Sequence, residues 1–238
     1  MWDEQFVAFA QHYRVVRYDA RGFGKTTSED GAFSDRQDIV ALLRHLGIEQ
    51  TAILGLSRGG ALAVDFTLEH PEMVDALVAV AGGLSGYEGP ATEAEMQLFA
   101  EYQRLEEQKD YDALTAFEVH VWGDGPTQPE GRAAALVRER LREMLANNYR
   151  THREVFQPRK LEPPAVDRLR EIHVPTLVIV GDLDFSDVIA AMNLLAERVA
   201  GAQKIVIPGT AHMINLEQPD RFNAAVLAFL GKAARRRS

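Results

Sequence analysis

The stretch ILGLSRGG (53–60) places a serine between glycines at the point where an apolar run ends. Residues 51–56 (TAILGL) are rich in β-branched and apolar side chains and predict a strand, whereas residues 58–70 predict a helix that stops before Pro71. A nucleophile in such a strand-to-helix turn sits on a strained backbone and needs small neighbours. The stretch therefore predicts a nucleophilic Ser57, with a structural serine turn as the alternative.

Predicted helices and strands alternate on both sides of this turn. Helices are expected at residues 3–12, for about 12 residues after a capping box at Ser34, and at 58–70, 187–199 and 217–230. The predicted strands are RVVRYDA (14–20), TAILGL (51–56), ALVAVAG (76–82), PTLVIVG (175–181) and QKIVIPG (203–209). Because these strands are apolar on both faces, they indicate an α/β fold with a buried, mostly parallel sheet and crossover helices.

Residues 91–170 interrupt this alternation. Glu, Gln, Arg, Leu and Ala dominate the segment, and no convincing strand is predicted in it. Thr92 with Glu95 and Thr127 with Glu130 have the spacing of capping boxes, which favours helices. We therefore expect one α/β core made of residues 1–90 and 171–238, with residues 91–170 as a helical cap.

Acidic side chains follow the predicted strand at 175–181, in the stretch Gly181-Asp182-Leu183-Asp184. In a parallel sheet, side chains just past the carboxyl ends of the strands face the ligand crevice. We predict that Asp184 orients a catalytic base and that Asp182 braces the turn. Asp187 remains the second candidate for the acid.

His212 is the candidate base, because it alone among the histidines follows the carboxyl end of a predicted strand. The chain order Ser57, Asp184, His212 is that of the α/β-hydrolases, with each residue just past a different strand. In this arrangement His212 takes the proton of Ser57, and Asp184 holds the imidazole tautomer and stabilises the imidazolium.

Composition narrows the remaining function classes. The formal net charge of -9 disfavours nucleic acid as a partner, and the basic tail at 234–238 is interpreted as a solvated terminus. The chain has no cysteine, no apolar run long enough for a membrane span and no metal or nucleotide motif, and its acidic first residues do not predict a signal peptide. We therefore expect a cytoplasmic protein without a cofactor or metal.

The chain resembles the α/β-hydrolase superfamily, specifically its esterase and enol-lactonase-like branch. The matching stretches are Tyr18–Gly24 (YDARGFG), Gly55–Gly60 (GLSRGG), Gly181–Asp184 (GDLD) and Ala211–Met213 (AHM). The resemblance implies a Ser-His-Asp hydrolase of a small-molecule ester or lactone. It also implies that the cap sets substrate shape, and Trp122, Phe117, Phe99 and Tyr102 are candidates for an apolar acyl pocket, with packing between cap and core as the alternative.

One part of the family pattern is missing. Members begin with two or three strands and an apolar-His-Gly loop that supplies one of two oxyanion donors, whereas this chain starts at the following helix. The backbone N–H of Arg58 is the expected remaining donor, and its side chain is a candidate contact for a substrate carboxylate or a surface charge. Our interpretation is that Met1 is an internal methionine of a longer gene. The alternative is a short form that closes its sheet in another way, for example with a second chain, so both a monomer and a homodimer are open.

Three functions follow from these observations. The first is hydrolysis of a small carboxylic ester or lactone through an acyl-enzyme on Ser57. The second is ligand binding or weak activity, because one oxyanion donor is not visible in the chain. The third is acyl transfer to an acceptor other than water, such as an alcohol or peroxide.

Overall fold

A four-stranded parallel sheet forms the centre of the structure, a computed structural model that describes residues 1–27, 31–151 and 157–235. The strands are β1 (Ala32–Phe33), β2 (Thr51–Leu56), β3 (Val74–Val80), β4 (Gln157–Pro158), β5 (Thr176–Gly181) and β6 (Gln203–Ile207). The central sheet has the order β2-β3-β5-β6, and all of its pairs are parallel. The predicted strands at 51–56, 76–82, 175–181 and 203–209 are thereby confirmed.

Helices connect and flank these strands. They are α1 (Asp3–Phe9), α2 (Asp35–His45), α3 (Arg58–Glu69), α4 (Glu93–Gln108), α5 (Tyr111–Glu118), α6 (Ala135–Thr151), α7 (Ala165–Arg168), α8 (Ser186–Arg198), α9 (Ile214–Glu217) and α10 (Pro219–Arg235). A π-helix (Val119–Asp124) continues α5, and short 3-10 turns occupy Pro71–Met73 and Leu169–Glu171. Within the described part of the chain, no helix has both the length and the apolarity of a membrane span.

The two central strands, β3 and β5, are buried on both faces because successive side chains point to opposite sides of the sheet. One face packs against α10, and its members are Ala76, Val78, Val80, Leu177 and Ile179 with Phe222 and Val226. The other face packs against α3 and α8, and its members are Leu77, Ala79, Val178 and Val180 with Val64, Met192 and Leu195. This two-sided burial explains the continuous apolar runs and confirms the α/β fold class.

The predicted strand at 14–20 is wrong, because no strand forms there. The apolar content of RVVRYDA is high, but strand formation depends on a neighbour that completes the ladder. Strand β2 lies at the edge of the described sheet and pairs with β3, and residues 14–20 do not pair with its open edge. Only part of the segment packs inward: Val15 contacts the core, whereas Val16 and Tyr18 are exposed.

The segment between β3 and β5 contains α4 to α7, as the helical pattern predicted, and we call residues 91–170 the insert. Two features of it differ from expectation. Strand β4, only two residues long, pairs in parallel with β1, and so short a strand has no periodic signal. The expected capping box at Thr127 starts no helix, because Gly131 has a left-handed backbone with φ 84 and α6 begins later.

Some predictions fall on positions that the structure does not describe. These positions are 28–30, 152–156 and 236–238, and they include most of the basic tail that was interpreted as a solvated terminus. The capping box at Thr92 lies in the described part and is confirmed, since both of its reciprocal hydrogen bonds are present.

Candidate active site

Ser57 occupies the turn between β2 and α3 in a backbone conformation that L-residues rarely adopt. Its φ is 58 and its ψ is −124, and its backbone N–H donates to Val80 O at 2.9 Å, which ties the turn to β3. Holding a non-glycine residue in such a conformation costs about 1–3 kcal/mol, and such strain clusters at functional sites. The turn therefore has the strained geometry that the sequence predicted for a nucleophile.

Glycines are required at two places around this turn, but not at every glycine of the motif. A Cβ on Gly55 would lie 1.9 Å from the carbonyl oxygen of Gly59, and one on Gly60 would lie 2.9 Å from that of Val80. A Cβ on Gly59 would meet nothing within 4 Å. The close approach of α3 to β2 and β3 thus depends on Gly55 and Gly60, whereas Gly59 has room for a side chain.

This difference makes a prediction about stability. Gly55→Ala is expected to lower the free energy of unfolding by about 3 kcal/mol, because backbone must move to admit the methyl group. Gly59→Ala is expected to raise it by about 0.5–1 kcal/mol, because alanine favours the helix over glycine. Urea unfolding of both variants followed by circular dichroism measures the two values. Equal destabilisation by both substitutions would contradict the steric assignment.

The side chains of Asp184 and His212 form a buried pair past the ends of β5 and β6. His212 Nδ1 lies 2.9 Å from Asp184 Oδ2 and 3.1 Å from Asp184 Oδ1. Asp184 is 6% exposed and His212 is 4% exposed. Asp184 Oδ1 also accepts a hydrogen bond from the backbone N–H of Phe185. A buried carboxylate bonded to Nδ1 fixes the ring and leaves Nε2 as the nitrogen available for proton transfer.

The two other acids of this region have different partners. Asp182 Oδ1 accepts from the backbone N–H of Gly209 at 2.6 Å, which braces the turn before His212 as expected. Asp187 Oδ1 accepts from the backbone N–H of Val188 instead of contacting the imidazole. Burial raises the pKa of Asp187, and the charges of Asp184 and Glu95 act in the same direction. The structure therefore pairs the imidazole with Asp184 and not with Asp187.

One of the four candidate pocket residues, Trp122, lies beside this pair, and a second, Phe99, is linked to it through Phe185. The Trp122 ring lies 4.6 Å from the His212 ring and 5.0 Å from that of Phe185, measured between centroids. The Phe99 ring stacks on the Phe185 ring, with centroids 5.3 Å apart, and Phe99 is 42% exposed. A row of aromatic rings thus runs from the surface of α4 to the imidazole. Phe185 was missed from the sequence, because only its place after Asp184 marks it.

The other two candidates, Tyr102 and Phe117, pack against each other with ring centroids 6.4 Å apart. Tyr102 belongs to a polar cluster inside the insert in which the Tyr149 hydroxyl donates to Glu118 at 2.7 Å. Burial raises the pKa of Glu118, although hydrogen bonds from Tyr149 and Trp122 oppose the change. Trp122 connects this cluster to the imidazole, and among the described residues no contact joins Tyr102 or Phe117 to the buried pair.

The Ser57 side chain has fewer contacts than the Asp184–His212 pair. Among the residues that the structure describes, none forms a hydrogen bond with the Ser57 hydroxyl, and catalytic hydrogen bonds are often long before substrate binds. Arg58 begins α3, so its backbone N–H is one of those without an acceptor inside the helix. The Arg58 side chain pairs with Asp35 at 2.6 Å and lies over the Phe23 ring, which explains it as a paired charge at the start of the helix.

Buried carboxylates outside the three candidate residues hold the loops of the site. Glu95 of the insert accepts from the backbone N–H of Ser186 at 2.6 Å, two residues after Asp184. Burial acts to raise the pKa of Glu95, but hydrogen bonds from Thr92 and Ser186 outweigh it and lower that pKa. Glu217 accepts from the backbone N–H of Ala211 at 2.7 Å, one residue before His212. The role of Glu217 was not predicted, since no spacing rule links it to the histidine loop.

A metal site is not visible in the described ranges, where no group of three or more His, Cys, Asp or Glu side chains converges. The arrangement can carry out proton transfer at an imidazole that a buried carboxylate orients. Its neighbours on the insert are aromatic rings and a buried acid.

Comparisons with known proteins place the chain among hydrolases. A family model described as the alpha/beta hydrolase family matches residues 1–225. The chain is 29% identical to 3-oxoadipate enol-lactonase 2 of Acinetobacter baylyi, over 97% of this chain and 83% of the relative. It is 32% identical to a 2-hydroxy-6-oxononadienedioate/2-hydroxy-6-oxononatrienedioate hydrolase of Klebsiella pneumoniae, over 93% and 77%. The crystal structure of a hydrolase from Pseudomonas aeruginosa superposes with a TM-score of 0.71 at 30% identity, over 97% and 84%.

Proposed function

Because this chain belongs to the alpha/beta hydrolase family, we propose that it is a serine hydrolase that cleaves a small carboxylic ester or lactone. The observation that carries the proposal is the buried contact of 2.9 Å between His212 Nδ1 and Asp184. It lies past the carboxyl ends of β5 and β6, and Ser57 lies in a strained turn past the carboxyl end of the parallel strand β2. Parallel strands bring such residues to one edge of the sheet.

The proposed reaction proceeds in two stages. His212 Nε2 accepts the proton of Ser57 as the serine oxygen attacks the carbonyl carbon, and it then gives that proton to the departing alcohol. Water next attacks the acyl-enzyme with the same imidazole as base. Asp184 keeps the imidazole in the required tautomer, and the Arg58 N–H at the positive end of α3 stabilises the negative oxygen.

We propose that the insert acts as a cap over this edge of the sheet. The aromatic row of Phe99, Phe185 and Trp122 supplies an apolar lining next to the imidazole, which suits the acyl or alkyl part of a small substrate. The enol-lactonase named above supports a lactone as one substrate class. The chain as given would act without a metal or cofactor, because the steps need only proton transfer and an acyl group on serine.

The test is turnover of p-nitrophenyl acetate and of a small lactone by the purified protein, with Ser57→Ala as the background. We expect hydrolysis that depends on Ser57, and product analysis with added methanol or hydrogen peroxide separates hydrolysis from acyl transfer. Release of p-nitrophenolate at the same rate by the parental chain and by Ser57→Ala would contradict the proposal.

A second candidate is a ligand-binding protein with weak activity. Two observations favour it. The Ser57 hydroxyl forms no hydrogen bond with another residue in the described ranges, and only one oxyanion donor, the Arg58 N–H, is assigned. Losing one such donor lowers kcat by about 10²–10³-fold. Calorimetric binding of a lactone without its hydrolysis would favour this candidate over the first.

A further inference from the structure

Arg132, in the loop before α6, donates several hydrogen bonds around the candidate site, and no sequence pattern predicted them. Its side chain is 18% exposed. Its Nη1 donates to Gly209 O at 2.9 Å, and its Nη2 donates to Gly123 O at 2.9 Å and to Glu217 at 2.7 Å. Its Nε donates to Asp124 O. One guanidinium therefore joins the insert to the core.

The core partners of Arg132 lie on either side of His212 in the chain, Gly209 in the loop before it and Glu217 at the end of α9. Gly209 lies three residues before the histidine, and Glu217 uses its second carboxylate oxygen to accept the backbone N–H of Ala211 at 2.7 Å. The guanidinium thus holds the loop directly through a carbonyl and indirectly through a buried carboxylate. Both contacts fix backbone on the approach to the imidazole.

The insert partners of Arg132 are the carbonyls of the two residues that follow Trp122. The Trp122 ring is 4.6 Å from the His212 ring, so Arg132 holds the backbone on both sides of this ring contact. Arg132 is itself held in place, because the carboxylate of Asp124 accepts the backbone N–H groups of Gly131 and Ala133 on either side of it. The arginine is therefore oriented before it reaches its partners.

We infer that Arg132 is a positioning residue that sets the contact between the Trp122 indole and the His212 imidazole. The inference deepens the proposed function, on which it rests for the role of the imidazole as base. The planar guanidinium suits the task, because it presents several donors at fixed angles, whereas lysine offers a single compact charge. Removing it would take this donor from the carbonyls of the buried residues Gly123 and Asp124 and from Oε2 of Glu217.

Tryptophan fluorescence tests the contact without any need for turnover. The chain has two tryptophans, and Trp2→Phe leaves Trp122 as the sole emitter. A protonated imidazolium next to the ring quenches its emission, so a pH titration should show a step that His212→Gln removes. Other titratable groups lie nearby: Asp184 faces the imidazole, Glu118 faces the indole, and Glu217 and Asp124 face Arg132. The step is therefore assigned to His212 only if His212→Gln removes it.

We expect Arg132→Gln in the Trp2→Phe chain to lose this step while it retains its circular dichroism spectrum. Arg132→Lys keeps the charge and should also lose most of the step. It provides the test if Arg132→Gln does not fold. The matched control is Arg104→Gln, which removes an exposed cation paired with Glu101 on α4, and it should keep the step unchanged.

Activity gives a second and separable readout. In a chain that hydrolyses esters, Arg132→Gln is expected to lower kcat by on the order of 10²-fold with a smaller change in KM, because the base is misplaced and binding is not. An unchanged fluorescence step in folded Arg132→Gln or Arg132→Lys would overturn the inference, as would the absence of any step dependent on His212 in the parental chain. A parental chain that shows the step without ester turnover would count against the proposed function alone.

Discussion

Ser57→Ala is expected to lower kcat for p-nitrophenyl acetate by on the order of 10⁴–10⁶-fold, the largest effect of any single substitution in this chain. The reason is that the acyl group then has no oxygen to receive it, and His212 has no proton to accept. Steady-state rates of the parental and variant chains, prepared in parallel, measure the change.

Ser57→Gly is the matched control for the strained turn. Glycine adopts the positive φ of this position freely, whereas alanine keeps the strain of φ 58. We therefore expect Ser57→Gly to be as inactive as Ser57→Ala but about 1 kcal/mol more stable than it, since strain relief exceeds the entropy cost of glycine. Retained activity in either variant would show that the serine is not the nucleophile.

Asp184→Asn is expected to lower kcat by on the order of 10⁴-fold, because an amide favours the wrong imidazole tautomer and cannot stabilise the imidazolium. Asp187→Asn is the matched control, since Asp187 accepts a hydrogen bond from backbone instead of the imidazole. We expect it to retain activity within about tenfold, because its replacement leaves the contact between Asp184 and His212 in place.

The same assays compare the two acids directly. If Asp187→Asn is the more damaging of the pair, then the acid must be reassigned to Asp187. Thermal unfolding of both variants is needed beside the rates, because Asp184 is buried and its replacement alters a hydrogen-bonded pair.

Much of the candidate site follows from local sequence. A β-branched run that ends in glycine and serine, followed by an amphipathic helix, is enough to predict a strand, a turn and a helix around Ser57. Asp184 and His212 follow from the rule that functional side chains collect past the carboxyl ends of parallel strands. These predictions depend on elements whose signals are contained within a few neighbouring residues.

The failures have a common physical cause, which is dependence on distant partners. Residues 14–20 have the composition of a strand, but a strand needs a neighbour, and in the described structure these residues pair with no strand. Arg132 and Glu217 are separated by 85 positions along the chain, so nothing local marks their contact. The same holds for Gly60, which is required because β3 passes close to α3, and this closeness is absent from the motif itself.

Covalent labelling of the nucleophile tests the central claim most directly. The chain is incubated with a p-nitrophenyl alkylphosphonate, and the modified peptide is identified by mass spectrometry, with His212→Gln as the control that lacks the base. We predict one phosphonyl group per chain on Ser57 and strongly slowed labelling in the control. No adduct on Ser57, or an adduct at another residue that forms equally fast in both chains, would contradict the account.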